Sequence, residues 1–386
     1  MALSQLWTLV INALFSSSDV SPTSSPPTTP TTSTRTVSPS STAVEPGSFI
    51  LPDLVSHCTF PLIYHSNGDA VAKHSLDWML SFVAHFTPRK MAASRGLLAG
   101  ELTAFCYNNC SSERLRVVSD FMNFLFHLDN ISDGMMARDT KGLSDWVMNA
   151  FEWPDSFRPL PGQKGDIEEI SAAKLARDFW SRCIVDCPPA VQQRFKSSMN
   201  MFFQAVHQQA SDRANGIIPE LESYIDVRRD TGGCKPVFDL IEYTHGFALP
   251  DEVVDHPTIV ALNEGANDLV TWSNDIFSYN VEQARGDTHN MICIFMALEG
   301  ATQQEAVDRV GNLCKQTIDA FVENQTRLPS WGEEIDKMVD LYVFGLQEWI
   351  VGALHWSFQT QRYFGVDGEE VKRTRVVRML PLENSA

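Results

Sequence analysis

Between Leu76 and Phe86 the apolar residues fall at Leu76, Met79, Leu80, Val83 and Phe86, a 3,4-spaced set that lays one apolar stripe along a helix. The same period predicts helices over Glu113–Asp133, over Ala172–Asp186 up to a stop at Pro188-Pro189, and over Val191–Gln208, which carries Phe195, Phe202 and Phe203. Thr302 followed by Glu305 reads as a capping box that opens a helix reaching about Arg327. Asp336–Tyr363 reads as one long, mostly apolar final helix. No alternating runs bounded by hairpin turns interrupt this pattern, so the expected fold is all-α, a single-domain helical bundle. Aromatic and polar residues on facing helices of such a bundle can enclose a central apolar pocket.

The ends of the chain follow a different rule. Residues 16 to 47 are dominated by Ser, Thr and Pro and cannot bury enough apolar surface to fold, so residues 1–47 are expected to form a disordered tail. The ordered domain is expected over 48–366, with 367–386 as a C-terminal tail and no internal repeat. The apolar run Leu6–Phe15 is too short to span a membrane and lacks the basic residues that precede a secretory core, which leaves a leader or a peripheral contact as minority readings.

Composition narrows the partners. With 44% hydrophobic residues the chain can bury a large core, and 48 acidic against 30 basic residues give a formal charge of −18. That excess argues against nucleic acid or an anionic membrane surface as the main partner. The eight cysteines are scattered without a C-x-x-C pair, as in an intracellular protein with reduced thiols, so the expected location is cytoplasmic.

Four groups of residues suggest chemistry. Asn274, Ser278 and Glu282 stand at i, i+4 and i+8, which on a helix aligns an amide, a hydroxyl and a carboxylate as hard oxygen donors suited to Mg²⁺. Asp129 and Asp133 put two carboxylates on one helical face, where a divalent cation would relieve their repulsion. Arg228 and Arg229 precede the Gly232-Gly233 break and can fork a phosphate. Arg362-Tyr363 adds a second guanidinium beside a phenol donor. Taken singly, each has an ordinary structural reading as a solvated helix face, a chance pair or a cationic helix end.

Together, Asp129-Asn-x-x-Asp133, Asn274-Asp-x-x-Ser278-x-x-x-Glu282, Arg228 and Arg362-Tyr363 resemble the class I terpene synthases, specifically basidiomycete sesquiterpene synthases such as protoilludene synthases. The resemblance implies a Mg²⁺-dependent lyase that ionises farnesyl diphosphate and cyclises the cation to a sesquiterpene hydrocarbon, with 1,11-closure to a protoilludene-type product as the expected skeleton. It implies three Mg²⁺ ions, with Mn²⁺ as a substitute, held by Asp129, Asp133, Asn274, Ser278 and Glu282. It also implies that Arg228, Arg362 and Tyr363 bind the diphosphate, Thr231 acts as a linker, and Gly232 offers a carbonyl at the site of ionisation. Phe126 and Trp356 are the aromatics expected to face carbocations. Position 130 is Asn where many relatives carry Asp, and position 281 is Val where many carry Lys or Arg, so one usual diphosphate contact is missing. The alternatives are a chain-elongating prenyltransferase and a non-catalytic relative that holds a prenyl diphosphate, and the assembly is expected to be a monomer or a homodimer.

Overall fold

The computed structural model describes residues 47–83, 85–132, 137–156 and 167–383. Residues 1–46 and Asp133 lie outside the described residues. The chain opens on a short strand, β1 (Ser48–Ile50), followed by α1 (Gly68–Phe82), α2 (Pro88–Leu97), α3 (Ala99–Cys106), α4 (Ser112–Ser132), α5 (Ala137–Glu152), α6 (Ile167–Cys183) and α7 (Pro189–Asn215). It continues through α8 (Leu221–Thr231), α9 (Cys234–His245), α10 (Asp251–Val254), α11 (Pro257–Arg285), α12 (Met291–Glu299), α13 (Gln303–Gln325) and α14 (Glu333–Gln359). The last elements are α15 (Gln361–Phe364), α16 (Gly368–Thr374) and β2 (Val376–Arg378). The bundle is all-α apart from the β1–β2 pair, which is antiparallel with Phe49 opposite Val377. No helix among the described residues is long and apolar enough to cross a membrane.

Local chemistry explains where the helices stop and start. The expected helix through Phe86 ends instead at Phe82, where Val83 leaves helical geometry, and Thr87, extended before Pro88, caps α2 by accepting from Lys90 N. The capping box at Thr302 and Glu305 is present and opens α13. The final helix is not continuous to Tyr363. Thr360 is extended, its Oγ1 accepts from Arg362 N, and the chain restarts as α15 at a new angle.

One face of α4 is anchored by a ring cluster. Phe121 packs on Phe179 and Phe195, both at centroid distances of 5.0 and 5.0 Å, and Trp180 stacks on Phe195 at 4.9 Å. Full burial of side chains of this kind contributes about 2–3 kcal/mol each, which pins α4 against α6 and α7. The other face of α4 is thereby held toward α11 and α14, where Phe126 and Asp129 sit.

Residues 367–386, set apart from the domain in the sequence, carry α16 and β2. Beyond β2 the chain follows the end of α11: Asn280 Nδ2 donates to Arg378 O at 2.9 Å, and Leu380 N donates to Asn280 Oδ1 at 2.8 Å. Glu383 N donates to Ala284 O at 2.8 Å. Both chain ends of the described domain therefore meet beside the helix that carries Asn274, Ser278 and Glu282.

Candidate active site

A cavity of about 130 Å³ lies between α4, α8, α11 and α14, and it shares its mouth with an outer cleft of about 870 Å³. Leu102, Met122, Leu125, Val237, Val270 and Trp349 give the inner part an apolar wall. Phe126, Asp129, Arg228, Thr231, Gly232, Asn274, Trp356, Arg362 and Tyr363 all line this inner part as well. Ser278 and Glu282 line the outer cleft together with Asn274, so the three-residue stripe expected from spacing faces one open volume. Such a space has a hydrocarbon-lined interior and a polar mouth.

Helix breaks place the polar groups. Thr231 ends α8, and Gly233 takes φ +67, a conformation that suits glycine, before α9 begins. Gly232 packs so closely on Thr271 that an added Cβ would collide with its Cγ2. The break brings Arg228 against α11, where its Nε donates to Asp275 Oδ1 at 3.0 Å and its Nη2 donates to Asn274 Oδ1 at 2.7 Å. Burial alone would lower the Arg228 pKa, but the adjacent Asp275 carboxylate outweighs it and holds the guanidinium above the usual arginine range.

The break at Thr360 has the same effect at the other end of the site. α15 turns Tyr363 so that its hydroxyl accepts from Asn274 Nδ2 at 2.7 Å, and it turns Arg362 so that Nη2 donates to Asp129 Oδ2 at 2.7 Å. The Arg362 guanidinium lies 5.5 Å from the Phe126 ring centroid. Phe126 is 5.6 Å from Trp356, and Trp356 is 5.9 Å from Tyr363, so these rings form a continuous aromatic wall. Trp356 is fixed in turn by its Nε1, which donates to Leu98 O at 2.8 Å.

The stripe on α11 fits a hard cation by its donors. Ser278 Oγ is buried and finds no hydrogen bond of good geometry, although it is near enough to Glu282 to lower that carboxyl. Burial, then the charge of Asp275, nevertheless push Glu282 up to about 7. An orphaned hydroxyl next to a carboxylate that resists ionisation is the arrangement a bound cation would satisfy. Among the described residues no cluster of three or more His, Cys, Asp or Glu could hold a metal ion, so a cation here would draw on amide and hydroxyl oxygens and on its ligand.

Sequence reasoning assigned no role to Asp275, which anchors this site. Its side chain is buried, accepts from Arg228 Nε and Tyr224 Oη, the latter at 2.5 Å, and takes Met291 N at 3.1 Å. The signal was present: an acid followed by Ile276 and Phe277 on an apolar helix needs buried partners. Asn290 was also missed; its Nδ2 donates to Glu282 Oε2 at 2.9 Å. Asn130 turns its amide back to Phe126 O at 2.8 Å.

The chain is similar to proteins of known family. Residues 120–320 match the family model described as terpene synthase family 2, C-terminal metal binding. The sesquiterpene synthase Agr3 of Cyclocybe aegerita is 63% identical over 89% of this chain and 97% of its own length. An α-muurolene synthase of Coprinopsis cinerea is 62% identical over 87% of this chain and 78% of its own, whereas a Δ6-protoilludene synthase of Stereum hirsutum is 34% identical over 87% and 89%. Among solved structures, hedycaryol synthase in complex with HEPES superposes with a TM-score of 0.68 at 18% identity, over 80% of this chain and 98% of that one, a likeness of fold.

Proposed function

The chain belongs to the terpene synthase family, and we propose that it binds farnesyl diphosphate with the hydrocarbon in the inner cavity and the diphosphate in the outer cleft, ionises it, and cyclises the cation. It is a metal-dependent sesquiterpene synthase, a carbon–oxygen lyase. The observation that carries the proposed arrangement is the single volume in which an apolar, aromatic-walled interior opens onto Asp129, Asn274, Ser278 and Glu282.

In this reading Asn274, Ser278 and Glu282 would hold one Mg²⁺, and Asp129, with Asp133 as an accessory acid, would hold the others. When bound, the ions supply the positive charge that stabilises diphosphate as a leaving group. Arg228 and Tyr363 are held in place through Asn274 and Asp275, so their donors need little reorganisation to meet the diphosphate. Arg362 exchanges Asp129 for a diphosphate oxygen as the site fills. Gly232 turns its carbonyl toward the ionising carbon, with Thr231 joining it to Arg228. Phe126 and Trp356 offer ring faces to the migrating charge, and the apolar wall keeps water from ending the cascade early.

The skeleton is set by the shape of the wall. Identity of 62% to an α-muurolene synthase, against 34% to a protoilludene synthase, favours a muurolene-type product over one made by 1,11-closure. A chain-elongating prenyltransferase is disfavoured, since its second metal site would be rich in Asp where this chain has Asn274, Ser278 and Glu282. The test is incubation of the purified chain with geranyl, farnesyl and geranylgeranyl diphosphate and Mg²⁺, with products separated by gas chromatography and identified by mass. Hydrocarbons from farnesyl diphosphate are expected; longer prenyl diphosphates, or no turnover of any substrate, would sink the reading.

A further inference from the structure

The two arginines nearest the inner cavity are already committed. Arg228 is paired with Asp275, at 2.9 Å from Nη2, and Arg362 with Asp129, at 2.7 Å. A diphosphate entering the cleft brings close to three negative charges at neutral pH, and the cleft is itself lined by the acidic residues Asp129 and Asp287. Charge for first contact with the anion has to come from elsewhere. Val281 occupies the position where a basic residue was expected, and it lines the cleft without offering a charge.

Three further guanidinium groups line that cleft, those of Arg89, Arg213 and Arg285, and Arg89 and Arg285 come from two different helices. Arg285 lies four residues beyond Val281 on α11 and eleven beyond Asn274, which on a helix of 3.6 residues per turn returns it to within about 20° of the Asn274 direction. Arg89 stands in the first turn of α2. That helix buries none of its residues in the core, yet its far end is tied to the Arg362-Tyr363 turn, with Thr360 Oγ1 donating to Gly96 O at 3.3 Å. Arg89 and Arg285 are both exposed, and among the described residues neither makes an ion pair. Both can therefore meet an anion without breaking an existing contact.

We propose that Arg89 and Arg285 form a cationic rim that captures the diphosphate head group, with Arg285 supplying, one turn later on the same face, the charge that Val281 lacks. The inference rests on the prenyl diphosphate reading above. Capture at a solvated rim acts on ground-state binding and association, so its loss falls on KM and on salt dependence. A bidentate guanidinium contact at the rim also explains how an acidic protein draws in a trianion.

The test is calorimetric binding of inorganic pyrophosphate in the presence of MgCl₂ to the full chain, its Arg89→Gln, Arg285→Gln and double variants, and an Arg285→Gln/Val281→Lys variant, with circular dichroism on each. Each single change is expected to weaken binding about 3- to 10-fold and the double change at least about 10-fold. Val281→Lys should recover most of the loss caused by Arg285→Gln, and the KM for farnesyl diphosphate should rise in step with the loss of pyrophosphate affinity. A folded double variant that binds pyrophosphate as wild type does overturns the rim, as does a fall in kcat at constant KM. Failure of the wild-type chain to bind pyrophosphate with Mg²⁺ overturns instead the functional reading on which the rim depends.

Discussion

Arg362 Nη2 donates to Asp129 Oδ2 at 2.7 Å, joining residues 233 positions apart in the chain. The contact closes one side of the cavity mouth and pairs two groups that the proposed reaction uses separately. The side chains remain about one-third exposed, at 29% and 34%, so water screens the pair and its worth to folding is small. Asp129→Asn is accordingly expected to cut turnover by a hundred-fold or more while moving the melting temperature by only a few degrees. The pair is structural instead if Asp129→Asn melts early and keeps its activity; thermal melting and steady-state kinetics on one preparation decide this.

The α11 stripe makes a sharper demand. Glu282→Gln keeps the shape and helix propensity of the side chain but removes its charge, and turnover is expected to fall about a hundred-fold with the Mg²⁺ requirement moved upward. Asn274→Ala should behave alike, and EDTA should stop the wild type. Turnover against Mg²⁺ concentration, with circular dichroism as the folding control, is the measurement; normal turnover by a folded Glu282→Gln protein would remove the metal from this face.

Asp275, one residue from Asn274, should respond in the opposite way. It is buried and accepts hydrogen bonds from Arg228, Tyr224 and Met291 N, so Asp275→Asn leaves a buried guanidinium without its counter-charge. A loss of about 3–5 kcal/mol of stability is expected, larger than for Glu282→Gln. Urea unfolding of the two variants side by side checks the order, and equal stability would mean that Arg228 finds another partner.

Glu348 gives a pH dependence of stability. Burial pushes its carboxyl up to about 8 from the ordinary 4.5, even though Asn108 donates a hydrogen bond that lowers it. The folded state then binds more protons than the unfolded state between about pH 4.5 and 8, so this residue's contribution is fully present at the acid end and is lost as pH rises through that window. Glu348→Gln keeps the acceptor and removes the titration. Wild type should lose stability relative to Glu348→Gln by on the order of 1–4 kcal/mol from pH 5 to 8.5, measured by denaturant midpoints. Parallel curves for the two proteins would show that Glu348 stays ionised.

The two chain ends should differ in their tolerance of truncation. Removal of residues 1–46 is expected to leave turnover within a few-fold, because those residues supply no matched motif position. Gly47 has to stay, since its carbonyl accepts from Met379 N at 2.8 Å. Ending the chain at residue 375 removes β2 and the contacts to Asn280 and Ala284, and should lower both stability and turnover by loosening the end of α11. Equal tolerance at both ends, in melting and in turnover, would show that the C-terminal segment does not brace the site.

The all-helical architecture and the shared face of the polar residues of the candidate site were legible in the chain because both rest on local periodicity. A 3.6-residue repeat marks α4, α7, α13 and most of α14, and an i, i+4, i+8 spacing is enough to put Asn274, Ser278 and Glu282 on one face wherever the helix packs. Relationships between distant positions were not legible. Nothing local announces that Thr360 breaks the last helix and turns Arg362 to Asp129, because the break also depends on a contact to Gly96. Nor does spacing show that Asp275, facing away from the stripe by one residue, is what holds Arg228 beside it. The closing of the C-terminal segment along α11 and the meeting of Arg89 and Arg285 at one cleft have the same origin: they arise from long-range packing, whose partners sit at separations that carry no period along the chain.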